Sequence, residues 1–356
     1  ETVPNDPMNA RIYTLENGLK VYMTVNKEQP RIQTFIAVRA GGKNDPAETT
    51  GLAHYFEHLM FKGTESFGTQ NYAKEKPMLD EIEALFEVYR KTTDEAERTA
   101  IYHKIDSVSY EASKVAIPNE YDKLMAAIGA VGTNAYTAND MTVYVEDIPS
   151  NQIENWAKIQ ADRFENNVIR GFHTELETVY EEKNMSLTKD DRKVFEQMMA
   201  ALFPHHPYGT QTVLGTQENL KNPSITNIKN FFKEWYVPNN MAICLSGDFD
   251  PEMMIETINR YFGGMQPNPN LPKCANQFSS EGNLSDTDVT QFYYFLSGEM
   301  PSEINNKFFN MNERAKLEDF IQTFSDDRTN KSAVFKFKDT QDGKLSLKTR
   351  WLNHQI

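Results

Sequence analysis

A chain of 356 residues, 39% hydrophobic and 12% aromatic, has the length for two or three domains and the apolar content for packed cores, which excludes a disordered polymer. A net charge of -14 excludes the clustered Lys and Arg on which non-specific nucleic-acid binding depends. No apolar run reaches the length of a membrane-spanning helix, and two cysteines, Cys244 and Cys274, are too few for a disulfide framework or a four-thiolate zinc site.

The chain opens on Glu1 in the loop-like "ETVPNDP", a start that leans toward an exported or periplasmic protein whose signal peptide has been removed. "RIYTLENGLKVYMTVNK" alternates apolar and polar residues on both sides of Asn17-Gly18, so residues 11–26 are expected to form a β-hairpin. "RIQTFIAVRAGG" reads as a further strand stopped by Gly41-Gly42, and a helix is expected from about Thr50. Over 75–117, Met78, Ile82, Leu85, Phe86 and Tyr89, and then Ile101, Ile105, Val108, Ala112 and Val115, recur at helical spacing. This stretch predicts a charged helical hairpin ended by Pro118, with Thr92 and Glu95 as a capping box between its arms. "NEYDKLMAAIGAVG" predicts another helix and "NAYTANDMTVYVEDI" a strand.

Long helices are expected over 151–166 and about 173–201, the second containing Met198 and Met199 as packing residues. Trp156 and Trp235 read as core, and His205 and His206 in "FPHHPYG" as loop residues, because adjacent side chains seldom converge on one ion. "NMAICLSGDFD" reads as a buried strand with Cys244 as a small core thiol, followed by a helix over "PEMMIETINRYFGG" with Pro at its start and Gly past its end. "MQPNPNLPK" marks a boundary, so the domain reading is 1–267 followed by a linker and C-terminal region, 268–356, of uncertain fold. In that region "FYYFL" and "SAVFKF" are the clear strand candidates.

The chemistry is concentrated in "GLAHYFEHLMFKGT". On a helix His54 and His58 lie on one face and can point at one ion, and imidazole nitrogens suit zinc. Glu57 stands three residues after His54 and one before His58, where it can flank a metal-activated water without being a ligand. A catalytic zinc keeps three protein ligands and one open position. The third ligand is expected from "HTELETVYEEKNMSL", which offers Glu175, Glu177, Glu181 and Glu182. Glu175, Val179 and Glu182 share one helix face, and the apolar Val179 marks that face as buried, where a carboxylate needs a partner.

H-x-x-E-H is the inverted zinc motif of the inverzincins, and with its flanks this sequence resembles the M16 metallopeptidases, the group of pitrilysin, insulysin and mitochondrial processing peptidase. "GGKNDPAETTGLAHYFEHLMFKGT", "GTNAYTANDMTVY", "ELETVYEEKNM", "HPYG" and "LSGDFDPEMMIETINRYFGG" follow the family's order over about residues 8–267. The resemblance implies an α+β fold, a mainly antiparallel sheet with helices on one face, and one zinc ion per chain. It implies His54, His58 and Glu182 as ligands, Glu57 as general base and Glu175 as the supporting carboxylate in the catalytic set. It also implies that an extended peptide substrate pairs with the strand Asn134, Ala135, Tyr136 and Thr137.

Two departures stand beside it. The interval from His58 to Glu182 is roughly 50 residues longer than the family's usual one. The interval from Asn134 to Glu182 is normal, so the helical hairpin at 75–117 is the insertion. Family members close two homologous halves around the substrate. No second half is recognisable after residue 270, and Tyr293, Tyr294 and Arg350 are weak counterparts of the Arg and Tyr that the facing half supplies. The expectation is a zinc endopeptidase acting on peptides or unfolded polypeptides, with a second M16-like half as partner. Its rivals are a non-catalytic or half-site subunit of a two-chain peptidase and a purely structural zinc site.

Overall fold

A computed structural model describes residues 6–203 and 206–271, together with the backbone of two strands at 335–339 and 345–349. Two compact units are present: residues 1–197 with 210–272, and residues 198–209 with 273–356. "FYYFL", Cys274, Tyr293, Tyr294, Arg350 and His205 lie outside the described residues.

The first unit is built on a six-stranded sheet in the order Arg11–Thr14 (β1), Lys20–Val25 (β2), Met241–Gly247 (β6), Arg31–Val38 (β3), Thr142–Pro149 (β5) and Val131–Thr137 (β4). Strands β1 (Arg11–Thr14) and β2 (Lys20–Val25) form the expected hairpin, with Gly18 at φ +88° in its turn, a conformation that side chains disfavour. Strand β3 (Arg31–Val38) runs antiparallel to both β5 (Thr142–Pro149) and β6 (Met241–Gly247). One pair, β2 with β6, is parallel in an otherwise antiparallel sheet. "NAYTANDMTVYVEDI" folds not as one strand but as two, β4 (Val131–Thr137) and β5, because Asn139 and Asp140 turn the chain and the Ala138 N–H bonds back to the Met141 carbonyl.

Alternation along the strands separates the two faces of the sheet. Val21, Met23, Ile32, Ile36, Val38, Ile243 and Leu245 are buried in one core with Phe56, Leu59, Trp156, Phe164, Phe231 and Phe262 of the helices. Cys244 falls on the opposite phase of β6 and is half-buried, so it is not the core thiol its apolar neighbours suggested. Trp156 and Trp235 are core residues.

Helix α1 (Leu52–Leu59) carries the histidine motif, and the helical hairpin expected over 75–117 forms as α2 (Tyr72–Tyr89) and α3 (Glu95–Ser113). The capping box of Thr92 and Glu95 is not formed. Asp94 caps α3, accepting the Glu97 N–H at 2.8 Å, and Thr92 Oγ1 instead donates to the Val88 carbonyl at the end of α2. A carboxylate is the stronger acceptor at a helix N-terminus. Helices α4 (Glu120–Ala127) and α5 (Ile153–Glu165) precede α6 (Phe172–Ser186) and α7 (Asp190–Leu202). The single helix expected over 173–201 is therefore two. Ser186 and Thr188 donate their hydroxyls to the Lys183 and Met185 carbonyls, ending α6, and Asp190 and Asp191 open α7 where its N-terminus favours negative charge.

Short helices α8 (Pro207–Thr210) and α9 (Gln217–Lys221) lead into α10 (Ile225–Trp235), and α11 (Pro251–Phe262) follows β6. His206, buried, accepts the Tyr208 N–H through Nδ1 in the loop role expected of it. In the second unit, β7 (Phe335–Asp339) overlaps "SAVFKF" and pairs antiparallel with β8 (Leu345–Thr349). No helix among the described residues is long and apolar enough to cross a membrane.

Candidate metal centre and active site

Helix α1 is gripped at both ends. Before its first turn, the buried Asp45 accepts the N–H groups of Gly51 (2.7 Å), Leu52 (3.1 Å) and Ala53 (2.9 Å), which the helix itself leaves unpaired. Gly51, at φ +88°, sits so close to the Leu214 carbonyl and Gly215 that a Cβ there would clash. At the other end the fully buried Arg163 donates from Nε to the Met60 carbonyl at 2.9 Å, with its guanidinium over the rings of Phe61, Tyr121 and Tyr144. The rotation and height of α1 against the sheet are thus fixed before any metal arrives.

That rotation aims His54 and His58 at α6. Their Nε2 atoms stand 3.3 Å apart, and each is 3.5 Å from Glu182 Oε2. Zinc held tetrahedrally at about 2.1 Å by each ligand requires ligand atoms about 3.4 Å apart. The three atoms therefore fit the edges of one zinc tetrahedron. Among the described residues this trio alone forms a group of three or more His, Cys, Asp or Glu side chains close enough to hold a metal. Glu177 and Glu181, which the sequence left open as ligands, point into solvent. His54 Nδ1, although buried, has no hydrogen-bond partner, whereas His58 Nδ1 lies 2.9 Å from Glu175 Oε1.

Electrostatics divide the two histidines. Burial, the neighbouring His58 and Arg192 push His54 down to about 4, so it stays neutral with a lone pair available. Burial alone would lower His58 too, but the Glu175 hydrogen bond and the charges of Glu182, Glu175 and Glu57 outweigh it and raise its pKa. Glu175 is lowered, because the His58 and Lys62 hydrogen bonds overcome its own burial.

Glu57 is 7% exposed and does not join the trio; burial raises its pKa although Thr137 and His58 pull the other way. A buried carboxylate with a raised pKa, beside a metal-type cluster, is suited to taking up and returning a proton. Among the described residues, the hydrogen bond to its carboxylate comes from Thr137 Oγ1, 2.5 Å from Oε2.

Thr137 lies on β4, which pairs with β5 on one side and, among the described residues, with no strand on the other. Register puts Ala135 opposite Tyr144 and Thr137 opposite Thr142, on the helix-bearing face, and sends Asn134 and Tyr136 to the other, exposed face. The Ala135 N–H is taken by the neighbouring Asn134 Oδ1 at 2.9 Å rather than by another strand. The four residues singled out for substrate pairing thus form an edge, unpaired among the described residues, beside the metal-type cluster.

Three contributors are not singled out in the sequence. Asp45 is seven residues before the first residue of the helix it caps. Arg192 acts from the helix that the sequence merged with α6. Lys62, four residues after His58, could have been found by the i, i+4 rule.

Comparison with known proteins agrees with this architecture. Residues 20–85 match the model of "Insulinase (Peptidase family M16)", and residues 224–350 match that of the "Peptidase M16 inactive domain". The probable mitochondrial-processing peptidase subunit beta of Schizosaccharomyces pombe is 25% identical over 71% of this chain and 45% of its own length. An uncharacterized zinc protease of Mycobacterium leprae is 24% identical over 70% of this chain and 45% of its own. A protease structure from Helicobacter pylori superposes with a TM-score of 0.57 at 20% identity, covering 74% of this chain and 52% of that one, a likeness of fold. The chain belongs to the M16 peptidase family. It spans roughly half, or less, of the length of the relatives it matches.

Proposed function

We propose that this chain is a zinc endopeptidase that hydrolyses peptides or unfolded polypeptides, and that residues 1–267 are its peptidase domain. The observation that carries the reading is the triangle of His54 Nε2, His58 Nε2 and Glu182 Oε2, with edges of 3.3 to 3.5 Å, beside the buried Glu57. The names of its relatives, zinc proteases among them, support it.

When bound, zinc would polarise the scissile carbonyl and lower the pKa of a coordinated water to about 7. Glu57 would take a proton from the attacking water and later pass it to the leaving amine, a task suited to a carboxyl whose pKa burial has raised. Thr137 would hold the Glu57 carboxylate toward that water, and Glu175 would fix the His58 ring through Nδ1. The substrate would extend β4 as an added strand along residues 134–137, so backbone pairing would carry affinity and side-chain selectivity would be broad.

The purely structural alternative lacks support, because a structural zinc is closed by four protein ligands and the described residues bring together three. The half-site alternative keeps the same chemistry and differs in needing a second M16-like half to close over the substrate.

Cleavage of a quenched, unstructured peptide by the isolated chain, with zinc measured on the same sample, tests the reading. Cleavage abolished by a chelator and by Glu57→Gln is expected of a self-sufficient peptidase. One zinc per chain without cleavage would favour the half-site form. Neither zinc nor cleavage would overturn both.

A further inference from the structure

Glu175 uses its two oxygens for two different partners. Oε1 meets His58 Nδ1 at 2.9 Å, and Oε2 meets Lys62 Nζ at 2.5 Å. A carboxylate bonded through one oxygen alone can swing about its terminal torsion, which is broad for Glu. Engaging the second oxygen removes that freedom.

Lys62 is itself held. Its carbonyl accepts Arg170 Nη1 at 2.9 Å, and its N–H bonds to the Leu59 carbonyl at 3.0 Å. Arg170, 5% exposed, grips the fully buried Glu75 of α2 with both ends of its guanidinium, at 2.6 and 2.9 Å, and also donates to the Thr64 carbonyl. The turn leaving α1 is therefore locked to α2. The ammonium of Lys62 is delivered from a backbone that cannot drift.

We propose that Lys62 is a positioning residue of the metal centre: held by the Arg170–Glu75 clamp, it fixes the Glu175 carboxylate so that the His58 ring presents Nε2 to the metal. This rests on the zinc reading above. The pair is partly buried, with Lys62 30% and Glu175 12% exposed at the side chain; the lysine stays in reach of water, so its effect belongs in the metal site rather than in the melting curve. It also gives α2 a role: through Glu75 and Arg170 the helix braces the turn that carries this lysine.

The test is zinc affinity of the full chain by chelator competition, with the visible absorption of the cobalt-substituted protein as a signature of ligand geometry. Lys62→Met should weaken zinc binding ~10-fold, at the lower end for losing such outer support, and alter the cobalt bands, while the metal-free chain melts as before. Lys62→Arg, whose guanidinium can reach the same oxygen, should restore affinity to within about threefold. Should Lys62→Met fail to fold, Lys62→Gln provides the same comparison. Wild-type zinc affinity and cobalt bands in Lys62→Met or Lys62→Gln would overturn this inference alone. A wild-type chain that takes up no zinc would overturn the reading of the site as well.

Discussion

Thr137 on the edge strand β4 donates its hydroxyl to Glu57 on the helix packed beneath it, at 2.5 Å. The residue that ends the surface offered to an extended peptide is thus bonded to the carboxylate offered as the base. Thr142, opposite Thr137 on β5, donates its Oγ1 to the Ala40 carbonyl, and just past the end of β4 the Ala138 carbonyl accepts the Gly42 N–H. Thr137→Val keeps the shape and removes the donor. It should lower kcat ~10-fold, the cost of one hydrogen bond to a charged group, with KM and zinc content near wild type. Thr137→Ser should recover most of the loss. An unchanged kcat in Thr137→Val would mean that Glu57 needs no such support.

Zinc and protons should compete mainly at His58. Its pKa is raised in the metal-free chain, so the ring holds its proton to a higher pH than usual, and binding must expel it. His54, lowered to about 4, has no proton to lose near neutrality. Apparent zinc affinity should therefore rise about tenfold per pH unit up to the His58 pKa and then level, a one-proton slope. Chelator competition between pH 5 and pH 8 measures this. A two-proton slope over that range would show His54 titrating normally.

Asp45 satisfies three N–H groups at the start of α1. Asp45→Ala leaves them buried without an acceptor, which should cost about 2 to 4 kcal/mol in urea denaturation of the metal-free chain. Because α1 carries both histidines, zinc affinity should fall as well. A loss below 1 kcal/mol would mean that water replaces the carboxylate.

Glu75 of α2 and Arg170 form a buried pair, and Arg170 also donates to carbonyls of the turn after α1. Glu75→Ala should destabilise the chain by about 3 to 5 kcal/mol, because it leaves a buried guanidinium without its counter-ion. Replacing both residues by apolar ones, as Glu75→Leu with Arg170→Met, should cost less than the single change. Equal losses in the single and double variants would show that the arginine's carbonyl contacts, not the ion pair, hold the turn.

The local features of this protein were legible in its residues alone. Asn17-Gly18 specified the first hairpin, the apolar spacing over 75–117 specified α2 and α3, and His54, Glu57 and His58 were legible because helical periodicity alone puts the histidines on one face. The family resemblance pointed to Glu182 and Glu175, which periodicity had left among four glutamates. Where local signals competed, the reading failed: Asp94 displaced Thr92 as the cap, Asn139-Asp140 divided one expected strand into two, and Ser186 with Thr188 ended a helix that was read as continuous. The tertiary structure decided what depends on partners distant in the chain. Asp45 and Arg163 set the rotation of α1, β4 was left at the edge by the sheet order, and Thr137, Lys62, Arg170 and Glu75 were drawn around the site. A buried hydrogen bond or ion pair between residues 80 to 117 positions apart, such as Thr137 with Glu57 or Glu175 with His58, leaves no periodic trace in the sequence, because it is fixed by how helices and strands pack and not by the spacing within any one of them.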